Sequence, residues 1–331
     1  MILSHMRGTF LEPITFEREL VSLQDGVFVA LDWMHPRVNT GEISCTTSET
    51  KTEKRPLVMC LHGLGGDSSS PYIQQFARAC RDSNWRCCVY NRRGHAGVSL
   101  LSTTQKTVQK IVPTHSDLED MQQVVAHMEA RCPGSPKFLV GFSAGSNLGI
   151  QFCARFQDPE SNPFRAVVSV SNAHDLVAGT RQLEEKHPLA NAMMTGFARR
   201  ILVNNEENIR TLCSNGGIPL DWQRLKNTHQ LREFEESLMC PIYGFESLDD
   251  YYRKISCVDD LVQISRPMLS IISLDDPLIP PTLGGLAADA ARRNPHIIHV
   301  STKRGGHLGW RQGWRAESWM HRAIVEYISA L

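Results

Sequence analysis

The stretch Phe138-Leu139-Val140-Gly141-Phe142-Ser143-Ala144-Gly145-Ser146 passes from a short apolar run, through a serine bracketed by glycines, into a helix-length segment ending at Phe156. A short apolar run bounded by turn residues reads as a buried strand. Glycines at 141 and 145 remove the side chains that a very tight turn has no room for. The strand–turn–helix order predicts a nucleophile elbow, which lifts Ser143 above the end of a sheet with a helix N-terminus beneath it. Chance supplies such a Gly-x-Ser-x-Gly pattern about 0.1 times in a chain of this glycine content and length. The competing reading is a glycine-rich turn carrying an inert serine.

Outward from the elbow, the chain after Pro56 alternates short apolar runs with helix-length segments. The runs are Leu57–Leu61, Cys87–Tyr90, Phe138–Val140, Ala166–Val170, Met268–Ile272 and Ile297–Val300. Ile73–Asp82, Asp117–Arg131 and Ser146–Phe156 separate the first four. Continuous apolar runs fit strands covered by helices on both faces, so the alternation predicts an α/β fold with a doubly wound, mostly parallel sheet. Before it, Phe16–Val21 and Val27–Trp33 flank a turn at Gln24-Asp25-Gly26 and read as an antiparallel hairpin. The polar segment Asn39–Lys54 reads as an exposed loop. From Asn172 to Arg266 no strong strand occurs. The helix-like stretches there are Gln182–Lys186, Ala190–Leu202, Glu206–Cys213, His229–Ser237 and Leu248–Ile255. The expected organisation is a first core part at 1–171, a helical lid inserted at 172–266, and a second core part at 267–331. An insertion between sheet strands lies over the strand C-terminal ends, where open α/β sheets bind ligands.

A serine hydroxyl needs a base near neutral pH. His307, in Gly305-Gly306-His307-Leu308-Gly309, follows the last apolar run and is the candidate. The base needs an orienting carboxylate. Asp276 is chosen because Asp276-Pro277-Leu278-Ile279-Pro280 forms a rigid turn after a strand, and Asp275 is the alternative beside it. Chain order is then Ser, Asp, His. Oxyanion donors are expected from the amide of Ala144, directly after the serine, and from Leu64 in the loop His62-Gly63-Leu64-Gly65-Gly66. His62 is expected to brace that loop. Two His-x₄-Asp pairs, His62…Asp67 and His115…Asp120, are within chance expectation. Met193, Phe197 and Ile201 recur at four-residue spacing beside Arg199-Arg200. That stripe reads either as the core of the insertion or as a lipid-facing surface.

Composition narrows the partners. The 331 residues carry 35 Lys+Arg and 35 Asp+Glu, so no basic excess invites nucleic acid. No apolar run approaches the ~20 residues of a membrane span. The ten cysteines are scattered with no CxxC pair, and no Asn-x-Ser/Thr sequon occurs. The N-terminal MILSHMRGTF lacks a long apolar region. These features predict a reducing, cytoplasmic setting.

The motifs together resemble the α/β-hydrolase superfamily, and within it the YheT-like branch of abhydrolase-domain lipases and esterases. HGLGGDSSSPYI (62–73), NRRGHAG (91–97), HSDLEDM (115–121), GFSAGSN (141–147), SNAHDL (171–176), DDPLIP (275–280) and GGHLGW (305–310) stand in family order. The resemblance implies Ser143 as nucleophile, Asp276 as acid and His307 as base. It also implies carboxylic ester hydrolysis, with short-to-medium acyl or glycerolipid substrates. Such chemistry calls for no metal or other cofactor. Two departures bear on specificity: Arg92 and His95 stand where Phe and Cys are common. At the elbow, Ala144-Gly145-Ser146 replaces the more usual Leu-Gly-Gly. The rivals are acyl transfer to a lipid alcohol through the same acyl-enzyme, and a catalytically silent lipid-binding or interaction protein. The implied partner is a small ester or lipid, with peripheral membrane contact through the lid.

Overall fold

The chain enters its sheet through an antiparallel pair, β1 (Glu17–Ser22) and β2 (Phe28–Met34), which Gly26 turns with a φ of 80°. These coordinates are a computed structural model that describes residues 13–36, 55–100, 112–313 and 317–331. The segment Asn39–Lys54, the N-terminal decapeptide and Cys45 lie outside the described residues. Six strands follow: β3 (Leu57–Leu61), β4 (Arg86–Asn91), β5 (Lys137–Phe142), β6 (Ala166–Val170), β7 (Met268–Ser273) and β8 (Ile297–Thr302). The order across the sheet is β1-β2-β4-β3-β5-β6-β7-β8. β2 runs antiparallel to β4, and every pairing from β4 to β8 is parallel. The fold is an α/β-hydrolase fold with the antiparallel hairpin at one edge.

Every residue of β3, β5, β6 and β7 is buried. Side chains of a strand alternate between faces, and two separate cores result. On one face Leu57, Met59, Leu61 and Leu139 meet α2 (Leu118–Arg131), α3 (Ala144–Ala154) and α10 (Pro281–Arg293). On the other, Val58, Cys60 and Val140 meet α1 (Pro71–Asp82) and α11 (Trp319–Ser329). Two covered faces explain why these strands read as unbroken apolar runs rather than alternating ones.

Between β6 and β7 the chain forms α4 (Leu176–Lys186), α5 (Pro188–Asn204), α6 (Glu206–Asn215), α7 (Trp222–Asn227), α8 (Leu231–Tyr243) and α9 (Leu248–Ile255). They share an apolar core that includes Leu202, Ile209, Phe234, Leu238 and Tyr251, joined by Leu100 and Val112 from the sheet-edge loops. Two details differ from the sequence reading. α7 is an additional helix, started by the Asp221 carboxylate accepting from the Arg224 N–H. α8 continues past Ser237 through Pro241, and Gly244 ends it in the left-handed conformation. Among the described residues no helix is long and apolar enough to cross a membrane, and the nine described cysteines are free thiols.

Candidate active site

β5 delivers Phe142 and then Ser143, whose backbone is held at φ 54° and ψ −123°. A non-glycine residue in this region is strained, and surrounding structure must hold it there. The Ser143 N–H donates to the Val170 carbonyl at 2.8 Å. Ser146, one turn into α3, ties the same two strands: its hydroxyl donates to the Gly141 carbonyl at 2.6 Å and accepts from the Val170 N–H at 2.9 Å. A methyl at Gly145 would collide with the Leu61 carbonyl, and one at Gly141 with the backbone of Ser146. The two glycines that marked the motif are therefore required by close backbone approach.

The Ser143 Oγ lies 2.9 Å from His307 Nε2. His307 Nδ1 lies 2.9 Å and 3.1 Å from the two carboxylate oxygens of Asp276. Three residues far apart in sequence thus meet in one chain of hydrogen bonds. The Asp276 side chain is 1% exposed, while that of His307 is 16% exposed. Asp276 Oδ1 also accepts from the Leu278 and Ile279 N–H groups at 2.8 and 3.1 Å, so the turn orients the carboxylate.

Asp275 faces elsewhere. Its Oδ1 accepts from the Gly305 and Gly306 N–H groups, each at 2.8 Å, and from the Ser273 hydroxyl. These donors hold its carboxyl below the usual aspartate range, the Ser273 hydroxyl most strongly. Asp276 thus meets the imidazole while Asp275 holds the backbone just before it. The Ser171 hydroxyl donates to the His307 carbonyl and secures the loop from the β6 side.

The loop after β3 lies against the serine, since a methyl at Gly63 would stand 3.2 Å from Ser143 Cβ. The Gly63 N–H donates to the Tyr72 hydroxyl at 2.9 Å, which leaves the next amide, Leu64, as the free donor. Among the described residues neither the Leu64 nor the Ala144 N–H meets a protein acceptor. His62 is buried. Its Nδ1 donates to the Gly63 carbonyl at 2.8 Å, and its Nε2 accepts from the Arg92 N–H at 3.4 Å. Burial holds this ring well below the ordinary histidine pKa, so it is neutral and braces the loop. Of the His-x₄-Asp pairs, Asp120 forms an ion pair with Arg93, while His115 faces Glu235 at 3.5 Å.

The helical insertion covers this loop. Phe197 on α5 occupies the space beside Gly65, where a Cβ would come within 2.6 Å of it, and Arg200 donates to the Gly65 carbonyl at 3.3 Å. Ile201 packs against Gly94. The Phe197–Ile201 stripe therefore faces the sheet-edge loops, although Phe197 keeps 36% of its surface exposed.

A family model of the alpha/beta hydrolase fold matches residues 56–310. The chain belongs to the α/β-hydrolase family. This hydrolase-fold protein is 26% identical over 321 residues to the human protein named phospholipase ABHD3, covering 96% of this chain and 73% of that one. It is also 26% identical to a Danio rerio protein named monoacylglycerol lipase ABHD2, covering 95% of this chain and 72% of that one. Among solved structures, Pyrococcus furiosus esterase Pf2001 superposes with a TM-score of 0.55 at 14% identity, covering 95% of this chain and 92% of that one. That last likeness is one of fold.

Three side chains that shape the site are absent from the sequence-derived set. Ser146 was visible only as a departure from the family elbow. Tyr72 and Ser171 carry no local signal, because each acts through a backbone group that only the folded sheet brings near.

Proposed function

We propose that this chain is a serine hydrolase of carboxylic esters, acting on short-to-medium acyl esters or glycerolipid esters. The observation that carries the reading is the Ser143 Oγ to His307 Nε2 distance of 2.9 Å, with Asp276 on the opposite ring nitrogen. The names of the ABHD3 and ABHD2 relatives support the glycerolipid part of it.

Asp276 fixes the tautomer: its carboxylate only accepts, so His307 Nδ1 carries the hydrogen and Nε2 presents a lone pair to Ser143. As Ser143 attacks the ester carbonyl, Nε2 takes its proton, and Asp276 stabilises the imidazolium. The Leu64 and Ala144 amides donate to the oxyanion that develops. Their lack of protein acceptors suits donors reserved for a charge that exists only during reaction. The imidazolium then protonates the leaving alcohol. Water, activated by the same nitrogen, hydrolyses the acyl-enzyme and restores Ser143.

The test is a p-nitrophenyl ester chain-length series on the wild type and Ser143→Ala, with fluorophosphonate labelling in parallel. The wild type should label at Ser143, and the variant should lose activity by about 10³-fold or more. Esterase activity surviving in the variant would overturn the mechanism. An unlabelled, inactive wild type would favour the silent-binder reading.

A further inference from the structure

Tyr72 is the second residue of α1, behind Pro71, and its ring and hydroxyl reach the two halves of the proposed oxyanion hole. Side chains of a helix lean towards its N-terminus, so this one points back over the loop after β3. Its hydroxyl accepts the Gly63 N–H at 2.9 Å and is hydrogen-bonded to the Ser70 hydroxyl. The loop also closes on this oxygen from its far end, since a methyl at Gly66 would stand 2.7 Å from it and one at Gly63 3.6 Å. The ring lies against Phe142, with centroids 5.2 Å apart and planes tilted by 58°. Phe142 is the residue that delivers Ser143. The hydroxyl therefore holds the loop that carries Leu64, while the ring rests on the elbow that carries Ser143 and Ala144.

Two peptide planes decide which amide that loop shows to the serine. In a trans peptide the C=O and the N–H of the next residue point in opposite directions. The Gly63 carbonyl accepts from His62 Nδ1 at 2.8 Å and from the Gly66 N–H at 3.1 Å. The Leu64 N–H, on the other side of that plane, is thereby turned away from the interior of the loop. The preceding plane is held through its N–H, by Tyr72. Successive backbone N–H groups can share one anion. Without the hydroxyl, the Gly63 N–H would be a donor with no partner close to Ser143, able to compete with Leu64 or to turn the loop. An unmet buried donor is costly, so the loop would not keep its shape unaided. Burial pushes the Tyr72 hydroxyl up to about 12, so it stays protonated wherever His307 can act as a base.

We propose that Tyr72 is a positioning residue for the oxyanion hole, which takes the Gly63 N–H out of the site and fixes the spacing of the Leu64 and Ala144 amides. Among the described residues its hydroxyl bonds to no member of the triad, so it acts on the reaction through the loop. The inference rests on the ester-hydrolase reading for its effect on rate, and a readout on the loop itself tests it apart from that reading.

The experiment is Tyr72→Phe, which keeps the ring on Phe142 and deletes the hydroxyl. On p-nitrophenyl butyrate kcat should fall by about tenfold or more, towards the ~10²–10³ of a donor lost outright, with KM within about twofold. The pH profile of kcat should not move, because His307 and Asp276 keep their contacts. A trifluoromethyl ketone of the same acyl length supplies a mimic of the transition state. Ser143 Oγ adds to its carbonyl carbon, the hydroxyl proton passes to His307, and the ketone oxygen is left as an oxyanion. Its Ki should rise by the factor by which kcat/KM falls. The second readout is hydrogen exchange at the Gly63 amide, followed by NMR, which should be faster in the variant by about tenfold or more. Ser70→Ala, which removes a partner of the same hydroxyl, should repeat the pattern at smaller size and decides in its place if Tyr72→Phe fails to melt cooperatively. An unchanged kcat, a loss confined to KM, or a shifted pH profile would overturn the positioning role. A wild type without turnover or ketone binding would sink the hydrolase reading. The Gly63 amide would then still decide the loop's anchor, which is refuted if that amide exchanges equally in both proteins.

Discussion

Replacing Asp276 with asparagine should nearly silence the protein, whereas the same change at Asp275 should not. Asp276 accepts three hydrogen bonds, from His307 Nδ1 and from the Leu278 and Ile279 amides. An asparagine has one accepting oxygen. If that oxygen stays on the two amides, its NH₂ faces His307 Nδ1 and forces that nitrogen to accept. The ring hydrogen then moves to Nε2, 2.9 Å from Ser143 Oγ, and the base is occupied before reaction begins. A wrong tautomer of this kind costs about 10⁴-fold in kcat, or about 5 kcal/mol at 1.36 kcal/mol per decade. Asp275→Asn keeps an oxygen for the Gly305 and Gly306 amides, because Oδ1 alone receives both. Its expected loss is about tenfold or less, the scale of a weakened loop contact rather than a lost base. The assay is kcat/KM on p-nitrophenyl butyrate, with thermal melting to verify folding. Equal losses in the two variants, or less than a tenfold loss in Asp276→Asn, would refute the division of labour between these neighbours.

Ser146→Ala should destabilise the protein by about 1–3 kcal/mol, because the buried Val170 N–H loses its acceptor. Urea unfolding checks this, and an unchanged midpoint would show that the elbow does not depend on that hydroxyl. Acidification should also destabilise the fold. His95, His174 and His321 are held near pKa 3 by burial, against an unfolded value of 6.5, and His62 lies well below it too. Between about pH 6.5 and 3 the unfolded chain therefore binds more protons, so stability falls as pH falls, by up to about 1.4 kcal/mol per pH unit for each histidine. Asp117, raised to about 6 by burial, acts in the opposite sense between pH 6 and 3.8 and offsets one of them. Urea midpoints at pH 7, 6 and 5 should fall progressively, and a flat series would contradict the burial of neutral rings.

The fold is legible in the sequence where one physical demand selects residues along a continuous stretch. Burial on two faces makes Leu57–Leu61 wholly apolar and leaves Ser169 as the one polar residue of Ala166–Val170, and both strands stand at the limits read from the sequence. The elbow is legible because close approach by Leu61 and Ser146 excludes side chains at 145 and 141. Legibility ends where partners are remote in sequence. Asp275 and Asp276 are equivalent as letters, and only the pairing of β7 with β8 brings one to the loop backbone and the other to the ring. α7 contributes a single buried side chain, Leu225, so it carries no apolar period to read. Pro241 looks like a helix breaker, yet it sits in the last turn of α8, where the helix is already ending.

The seating of Phe197 against Gly65, with Arg200 on the same residue's carbonyl, couples α5 to the loop that carries the Leu64 amide. A displacement of α5 would therefore pull on the backbone adjoining the Leu64 amide. Under the proposed mechanism, a substrate bulky enough to displace α5 is then expected to lose turnover as well as admission.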